Sequence, residues 1–333
     1  MKPRVGILIP GPMYKRIFLE RELERLSGFA TIKTGEFSEI KTETAERVIA
    51  GADGCITSWG TCQLTKKILA AAPNLKIIVH AAGSVKPIVS ETVWQKGIKV
   101  TSAAAAIAIG VAEHTLGLML SAMKRNYWFN EIAHKGGWNE ESEYRKVKEI
   151  FNITIGVVGF GHVGRHFVKL LRNFEVKILL YDPLISYEEA RKSGAEKIEK
   201  IDDLMSCVDI LSLHAPNLPE THHMINRQNL RLLKDGAILI NTARGALINE
   251  QDLIKELKTG RITACLDVTD PEPPAPGNYL RRLPNVILTP HIAGTVANNM
   301  FRLGKLAVTE LERFFSGRKL LYPVTKKDLA RIA

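Results

Sequence analysis

Short apolar runs rich in β-branched residues alternate with stretches of helical period through the first hundred positions. The pattern predicts strands over 5–9, 31–33, 54–57, 76–80 and 99–101, with helices over 14–26, 44–50, 65–72 and 89–96. Alternation of this kind builds a parallel sheet covered by helices on both faces. A long helical stretch follows over 103–125. After it, 126–149 has no clear period and gathers aromatic and charged side chains, among them Tyr127, Trp128, Phe129, Trp138 and Tyr144. A plain surface loop would look irregular too, but exposed aromatics in such numbers mark a surface that meets a partner. The expectation is a subunit interface in a homodimer.

A second series begins near Asn152. The run over 153–158 is almost continuously apolar, as a central strand of a parallel sheet must be. A helix over 163–174 and strands over 176–181, 210–213, 237–240, 263–266 and 286–288 follow, then a last helix over 297–315 and a polar, turn-rich tail over 316–333. No repeat of solenoid period interrupts this. The fold class is α/β, with two doubly wound parallel sheets.

Composition changes the picture only by exclusion. The 333 residues suit two domains of ordinary size, and 45% hydrophobic with 24% charged residues excludes a fibrous or wholly disordered chain. The formal net charge is +11, but the basic pairs Lys66-Lys67, Arg281-Arg282, Arg318-Lys319 and Lys326-Lys327 are scattered and not interleaved with aromatics. No nucleic-acid partner is expected; a positive field would help gather a small anionic substrate. Cys55, Cys62, Cys207 and Cys265 form no CxxC pair and complete no zinc pattern, which implies reduced thiols, a cytoplasmic setting and no metal. The apolar start that Pro10 ends is too short for a signal peptide, and the apolar window over 103–120 carries Glu113 and His114, so a buried or interface helix is expected there rather than a membrane span.

The first chemical signal is Gly159-Phe160-Gly161-His162-Val163-Gly164, directly after the strand over 153–158 and opening the next helix. Gly159 permits the tight turn, Gly161 lets the backbone approach a pyrophosphate, and Gly164 lets the helix pack closely. The helix N-terminus then presents free N–H groups to phosphate. Asp182, at the end of the following strand, stands where a carboxylate accepts from the ribose hydroxyls of NAD and repels the 2′-phosphate of NADP. Three polar segments fall at later strand ends, the place where open α/β sheets bind ligands: Asn241-Thr242-Ala243-Arg244-Gly245, then Asp267 with Glu272, then Thr289-Pro290-His291-Ile292-Ala293-Gly294. An Arg, a Glu and a His converging beside a nicotinamide would make a carboxylate anchor and an acid/base pair.

With these motifs the chain resembles the D-isomer-specific 2-hydroxyacid dehydrogenases over nearly its whole length; Val111-Ala112-Glu113-His114-Thr115 also looks like that family's interdomain helix. The resemblance implies two Rossmann-like or flavodoxin-like domains, a discontinuous substrate domain over 1–104 and 295–333 and an NAD-binding domain over 105–294, with the active site in the cleft between them. It further implies that Arg244 holds the substrate carboxylate and polarises the keto oxygen, that His291 gives and takes the proton, and that Glu272 pairs with His291. Asp267 would bind the nicotinamide carboxamide. His162 and Val163 would meet the pyrophosphate, Ala215 and Pro216 would line the adenosine side, and Thr242, Ala243 and Gly294 would complete the cofactor site. In the segment Ala82-Gly83-Ser84-Val85, backbone N–H groups would bind the carboxylate too.

Two departures from that family's pattern lie on the substrate side. Ser84-Val85-Lys86-Pro87 replaces a Gly-Val-Asp run, and Ile107 stands where an Asn is common. Lys86 then either points to solvent or reaches the cleft and favours a substrate with a second negative charge. The tail is too short for the regulatory domain of some phosphoglycerate dehydrogenases, so none is expected. The expected activity is hydride transfer between NAD(H) and a small D-2-hydroxy or 2-keto acid. The alternative is an NAD-sensing corepressor-type scaffold on the same fold, which keeps the Arg–Glu–His set; the missing peptide-cleft signature and disordered tail argue against it.

Overall fold

A computed structural model describes residues 1–35 and 37–332. Among them the strands in chain order are β1 (Arg4–Leu8), β2 (Thr31–Lys33), β3 (Gly54–Thr57), β4 (Ile77–His80), β5 (Lys99–Ser102), β6 (Phe151–Val158), β7 (Glu175–Tyr181), β8 (Glu196–Lys197), β9 (Ile210–Leu213), β10 (Ile238–Asn241), β11 (Thr263–Leu266), β12 (Val286–Leu288) and β13 (Pro323–Val324). The chain forms two compact units, Met1–Ile107 with Thr295–Ala333, and Ala108–Gly294.

The first unit holds the sheet β13-β5-β4-β3-β1-β2, parallel except for β13 against β5. The second holds β12-β11-β10-β9-β6-β7-β8, parallel throughout. Both orders are doubly wound: the chain starts in the middle, builds outward to one edge, then returns past its first strand. That first strand is β1 in one sheet and β6 in the other, and the order reverses between β6 and β9 in the second.

The strands read as apolar runs because both faces are buried. In β4, Ile77 and Val79 join one core while Ile78 joins the core across the sheet. In β10, Ile238 and Ile240 face one side and Leu239 the other. Cys55 and Cys265 sit fully buried in this packing, and all four cysteines are unbridged.

Three local expectations are corrected. The helix over 14–26 is two helices, Gly11–Ile17 and Glu20–Phe29, separated by the extended, buried Phe18. There the helix Met300–Phe315 packs so closely that a Cβ on Gly304 would lie 2.3 Å from the Ile17 carbonyl oxygen. The aperiodic stretch after 125 contains the helices Asn126–His134 and Glu141–Tyr144, anchored by Arg125, whose guanidinium stacks 3.4 Å from the Trp128 ring centroid and donates to Glu143 at 2.5 and 2.8 Å. The turn-rich tail supplies β13, held by the fully buried Glu310 carboxylate, which accepts from Leu321 N at 3.0 Å and Tyr322 N at 2.7 Å. The helix Ala104–Met123 is long and apolar enough to cross a membrane, and half of its most apolar window is buried within the protein.

Two histidines at strand ends are buried: His80 closes β4 and His214 follows β9. Burial pushes their pKa values down to about 4 and about 3, so the folded protein holds both rings neutral. The unfolded chain takes up protons on them below its ordinary value of about 6.5, whereas the folded chain does not until near the depressed values. Stability is therefore fully present above pH 6.5 and falls as the pH drops toward 4, by on the order of 1.4 kcal/mol per pH unit for each ring. Denaturant midpoints at pH 7.5 and 5.0 check this; equal midpoints would contradict it.

Candidate active site

The turn after β6 has the geometry its glycines predict. Gly159 has φ +93°, and a Cβ on it would lie 2.7 Å from Ala215 N, because the segment leaving β9 runs directly alongside. A Cβ on Gly164 would lie 2.1 Å from the Gly159 carbonyl oxygen, whereas nothing approaches Gly161 within 4 Å. The strand-order reversal thus places the Gly159 turn beside His214 and Ala215, with open space at Gly161. The helix His162–Leu171 begins there with no side-chain cap, so its N-terminal end and positive dipole face the turn. Burial, then His166 and Arg165, lower the pKa of His162 on that first turn.

Asp182, half-buried at the end of β7, holds this turn from the other side. Its Oδ2 accepts from Phe160 N at 2.7 Å and its Oδ1 from Leu184 N at 2.8 Å. Each oxygen keeps acceptor capacity, which is what ribose hydroxyls require. A small cradle, uncapped amides and a fixed carboxylate fit a dinucleotide.

The next segment leaves β10. The buried Asn241 side chain folds it back, donating to the Arg244 carbonyl at 2.9 Å and accepting from Ala243 N at 3.0 Å. Thr242 Oγ1 lies 2.8 Å from Thr115 Oγ1, a link to the helix Ala104–Met123. Gly245 packs on the segment after β11 so tightly that a Cβ would meet Thr269 at 2.1 Å. Arg244 is exposed and, among the described residues, its side chain donates only to the Ala243 carbonyl, at 2.6 Å. Partial desolvation lowers its pKa and the charge of Glu272 opposes that, yet a guanidinium stays charged throughout.

Asp267, at the end of β11, is 1% exposed. Its Oδ1 accepts from Thr289 Oγ1 at 2.6 Å and Ile292 N at 2.9 Å, and its Oδ2 from Ala293 N at 2.8 Å. His114 Nε2 lies 3.7 Å from Oδ1, and the Asp267 carbonyl accepts from His291 N at 2.9 Å. The expected contact of Asp267 with a cofactor carboxamide is therefore limited to what Oδ2 has left; its side chain chiefly fixes the segment from Thr289 to Gly294, the last residue of the unit. Held this way, His291 adopts φ +54°, a left-handed conformation costly for a side chain of this size. Its Nδ1 lies 2.5 Å from Glu272 Oε1, with both side chains partly open to solvent.

Arg244, Glu272 and His291 thus stand on segments leaving three neighbouring strands, β10, β11 and β12. The predicted Gly83, Ser84 and Val85 belong to the loop after β4 in the other unit, with Val85 buried. Of the two readings of Lys86 the structure agrees with the solvent-facing one: the residue is exposed, and its ammonium donates to the Ile332 carbonyl at 2.6 Å, tying the loop to the tail of its own unit. Thr115 and Thr289 fall inside motifs that the sequence singles out, but it assigns them no role, because a lone hydroxyl carries no spacing signal.

These features agree with the comparisons. The model of the D-isomer specific 2-hydroxyacid dehydrogenase NAD binding domain matches residues 116–293. D-3-phosphoglycerate dehydrogenase of Methanocaldococcus jannaschii is 34% identical over 94% of this chain and 58% of its own length, and glyoxylate reductase of Thermofilum pendens is 36% identical over 77% and 78%. A phosphoglycerate oxidoreductase from Rhizobium etli superposes with a TM-score of 0.84 at 21% identity, covering 98% of this chain and 99% of that one, which shows the shared fold. The second unit is a nicotinamide-dinucleotide-binding fold. The chain belongs to the D-isomer-specific 2-hydroxyacid dehydrogenase family. It spans about half the length of the archaeal phosphoglycerate dehydrogenases it matches, 58% and 47%.

Asp267→Asn is expected to set an amide NH₂ against one of the protein donors that now meet the carboxylate. A buried mismatch of this kind costs about 1–3 kcal/mol. The urea midpoint should fall accordingly, and an unchanged midpoint would show that the carboxylate does not hold the segment.

Proposed function

We propose that this chain is an NAD-dependent D-2-hydroxyacid dehydrogenase that interconverts a small 2-keto acid and its D-2-hydroxy acid. The observation that carries the reading is the 2.5 Å His291–Glu272 pair on a strained, pinned segment, with Arg244 on the neighbouring strand end of an NAD-binding unit. The names of the relatives, phosphoglycerate dehydrogenase, glyoxylate reductase and hydroxypyruvate reductase, support small 2-keto and 2-hydroxy acids as the substrate class.

The bound nicotinamide supplies the hydride donor or acceptor. The glycine turn and the amides opening the helix His162–Leu171 would hold the pyrophosphate, and Asp182 the adenosine ribose, favouring NAD over NADP. Arg244 would bind the carboxylate with its planar fork and polarise the keto oxygen. Glu272 fixes the His291 ring through Nδ1, so Nε2 is the nitrogen that would give the proton in reduction and take it in oxidation. Thr242, Ala243 and Gly294 would line the nicotinamide side.

A homodimer in the cytoplasm completes the proposal. Tyr127, Trp138, Tyr144 and Phe151 are all at least 49% exposed on or beside the helices after Arg125, a concentration of aromatic surface that favours a partner copy, and the unbridged cysteines favour a reducing compartment. Light scattering at micromolar concentration should give twice the chain mass; a monomer would overturn this part.

NADH oxidation with glyoxylate, hydroxypyruvate and phosphohydroxypyruvate tests the activity. Arg244→Ala should abolish turnover while NADH still binds, losing on the order of 2–5 kcal/mol of substrate interaction. NADH binding with no turnover of any 2-keto acid in the unaltered protein would favour the scaffold instead.

His291→Gln should lower kcat at least ~10²-fold, and Glu272→Gln should lower it through the ring's orientation. Because the two act as a unit, the double variant should be hardly slower than His291→Gln alone. Fully additive losses would show that the pair does not work together.

A further inference from the structure

The loop after β4 uses its carbonyls and leaves its amides unused. The Ala81 carbonyl accepts from Ser58 Oγ at 2.9 Å; the Ala82 carbonyl accepts from Ala103 N at 3.0 Å and Ser102 Oγ at 3.2 Å; the Gly83 carbonyl accepts from Ser102 Oγ at 2.5 Å. The His80 ring, whose Nδ1 lies 2.9 Å from Thr57 Oγ1, also faces the Ser84 carbonyl. The N–H groups of the same four peptide units, those of Ala82, Gly83, Ser84 and Val85, meet no acceptor among the described residues, although Ala82 and Val85 are fully buried.

Buried amides are almost always paired, so four consecutive unpaired ones call for an acceptor from outside the chain. All four peptides are trans, and in a trans peptide the N–H points opposite to the C=O. Ser58 follows β3, His80 ends β4 and Ser102 ends β5, so the carbonyls are drawn toward three adjacent strand ends and the amides turn away from them. Successive N–H groups presented together form an anion-binding concavity. With Lys86 bonded to Ile332, its attraction comes from backbone dipoles.

We propose that Ser102 and His80 are positioning residues for carboxylate recognition: by pinning the carbonyls of residues 82–84 they aim the three amides of residues 83–85 at the anion without touching it, beside the Ala82 amide whose peptide carbonyl Ser58 holds. This rests on the dehydrogenase reading, which makes the anion the carboxylate of the 2-keto acid. The His80 ring is buried and burial keeps it neutral, so no cation is needed beneath the loop.

The test compares Ser102→Ala with Ser102→Thr, which restores the hydroxyl. Oxalate serves as a non-reacting carboxylate probe, its affinity for the NADH-loaded protein measured by calorimetry, alongside KM and kcat for glyoxylate. Ser102→Ala should weaken oxalate and raise the glyoxylate KM about tenfold, while kcat stays within about threefold and the NADH Kd does not move. Ser102→Thr should recover both. Ser102 Oγ also accepts from Ala104 N at 3.1 Å at the start of the helix Ala104–Met123, so some thermal stability goes with it, but a purely structural role would not single out the carboxylate. His80→Leu against His80→Gln makes the same comparison on the other pin should Ser102→Ala fail to fold. Unchanged oxalate affinity in the alanine and leucine variants, or parallel loss of oxalate and NADH, overturns the proposal. If the unaltered protein turns over no 2-keto acid, the dehydrogenase reading fails, and the oxalate affinities still decide the role of the loop.

Discussion

The candidate site depends on one buried carboxylate. Asp267 is almost wholly withdrawn from water, and a lone charge there would be untenable, so its oxygens must be filled by the protein. They are filled by the hydroxyl of Thr289 and the amides of Ile292 and Ala293, which together fix both ends of the tripeptide whose first residue is His291. The left-handed backbone of His291 persists because this clamp over-determines it. The Glu272 contact and the direction of the ring are downstream of that clamp. A carboxylate on a flexible segment would make the same ion pair only part of the time.

The cofactor side uses the same device. Asp182 joins the glycine turn to the end of β7 through Phe160 N and Leu184 N before any ribose is present. It is a structural staple of the turn, so a change there disturbs the turn itself. Gly159 and Gly164 exclude side chains for a related reason: the β9 segment and the turn's own carbonyl occupy the space.

Much of this was legible in the sequence, for reasons specific to each element. The turn at 159–164 combines a fixed spacing with a strand before it and a helix after it. Arg244, Glu272 and His291 stood out because strand ends carry function in doubly wound sheets and each lies beside a Gly or Pro breaker, Gly245, Pro273 and Pro290. The break at Phe18 was not legible, since its cause is the approach of Gly304 from the far end of the chain. The helices after Arg125 were hidden because an Arg–Trp stack and a Glu143 pair, not an apolar stripe, hold them. Ser102 and His80 gave no signal at all: a serine and a histidine ending two strands read as ordinary core polarity until their partners are seen. The free choice for Lys86 was settled by a carbonyl 246 positions away.

The chain contains two candidate anion sites, one in each unit, and both are made of backbone. At Gly161 the amides are those of an uncapped helix start; at residues 82–85 they are those of a loop whose carbonyls are bonded behind it. Amides carry no net charge, so they attract an anion without the desolvation penalty of a buried cation, and they are held in place before the ligand arrives. The chargeable side chains Arg244, Glu272 and His291 stand apart from these amides, on segments leaving three neighbouring strands of the second unit. The net charge of +11 then acts at long range, through a diffuse field that favours anions, while the fixed dipoles decide where they are held.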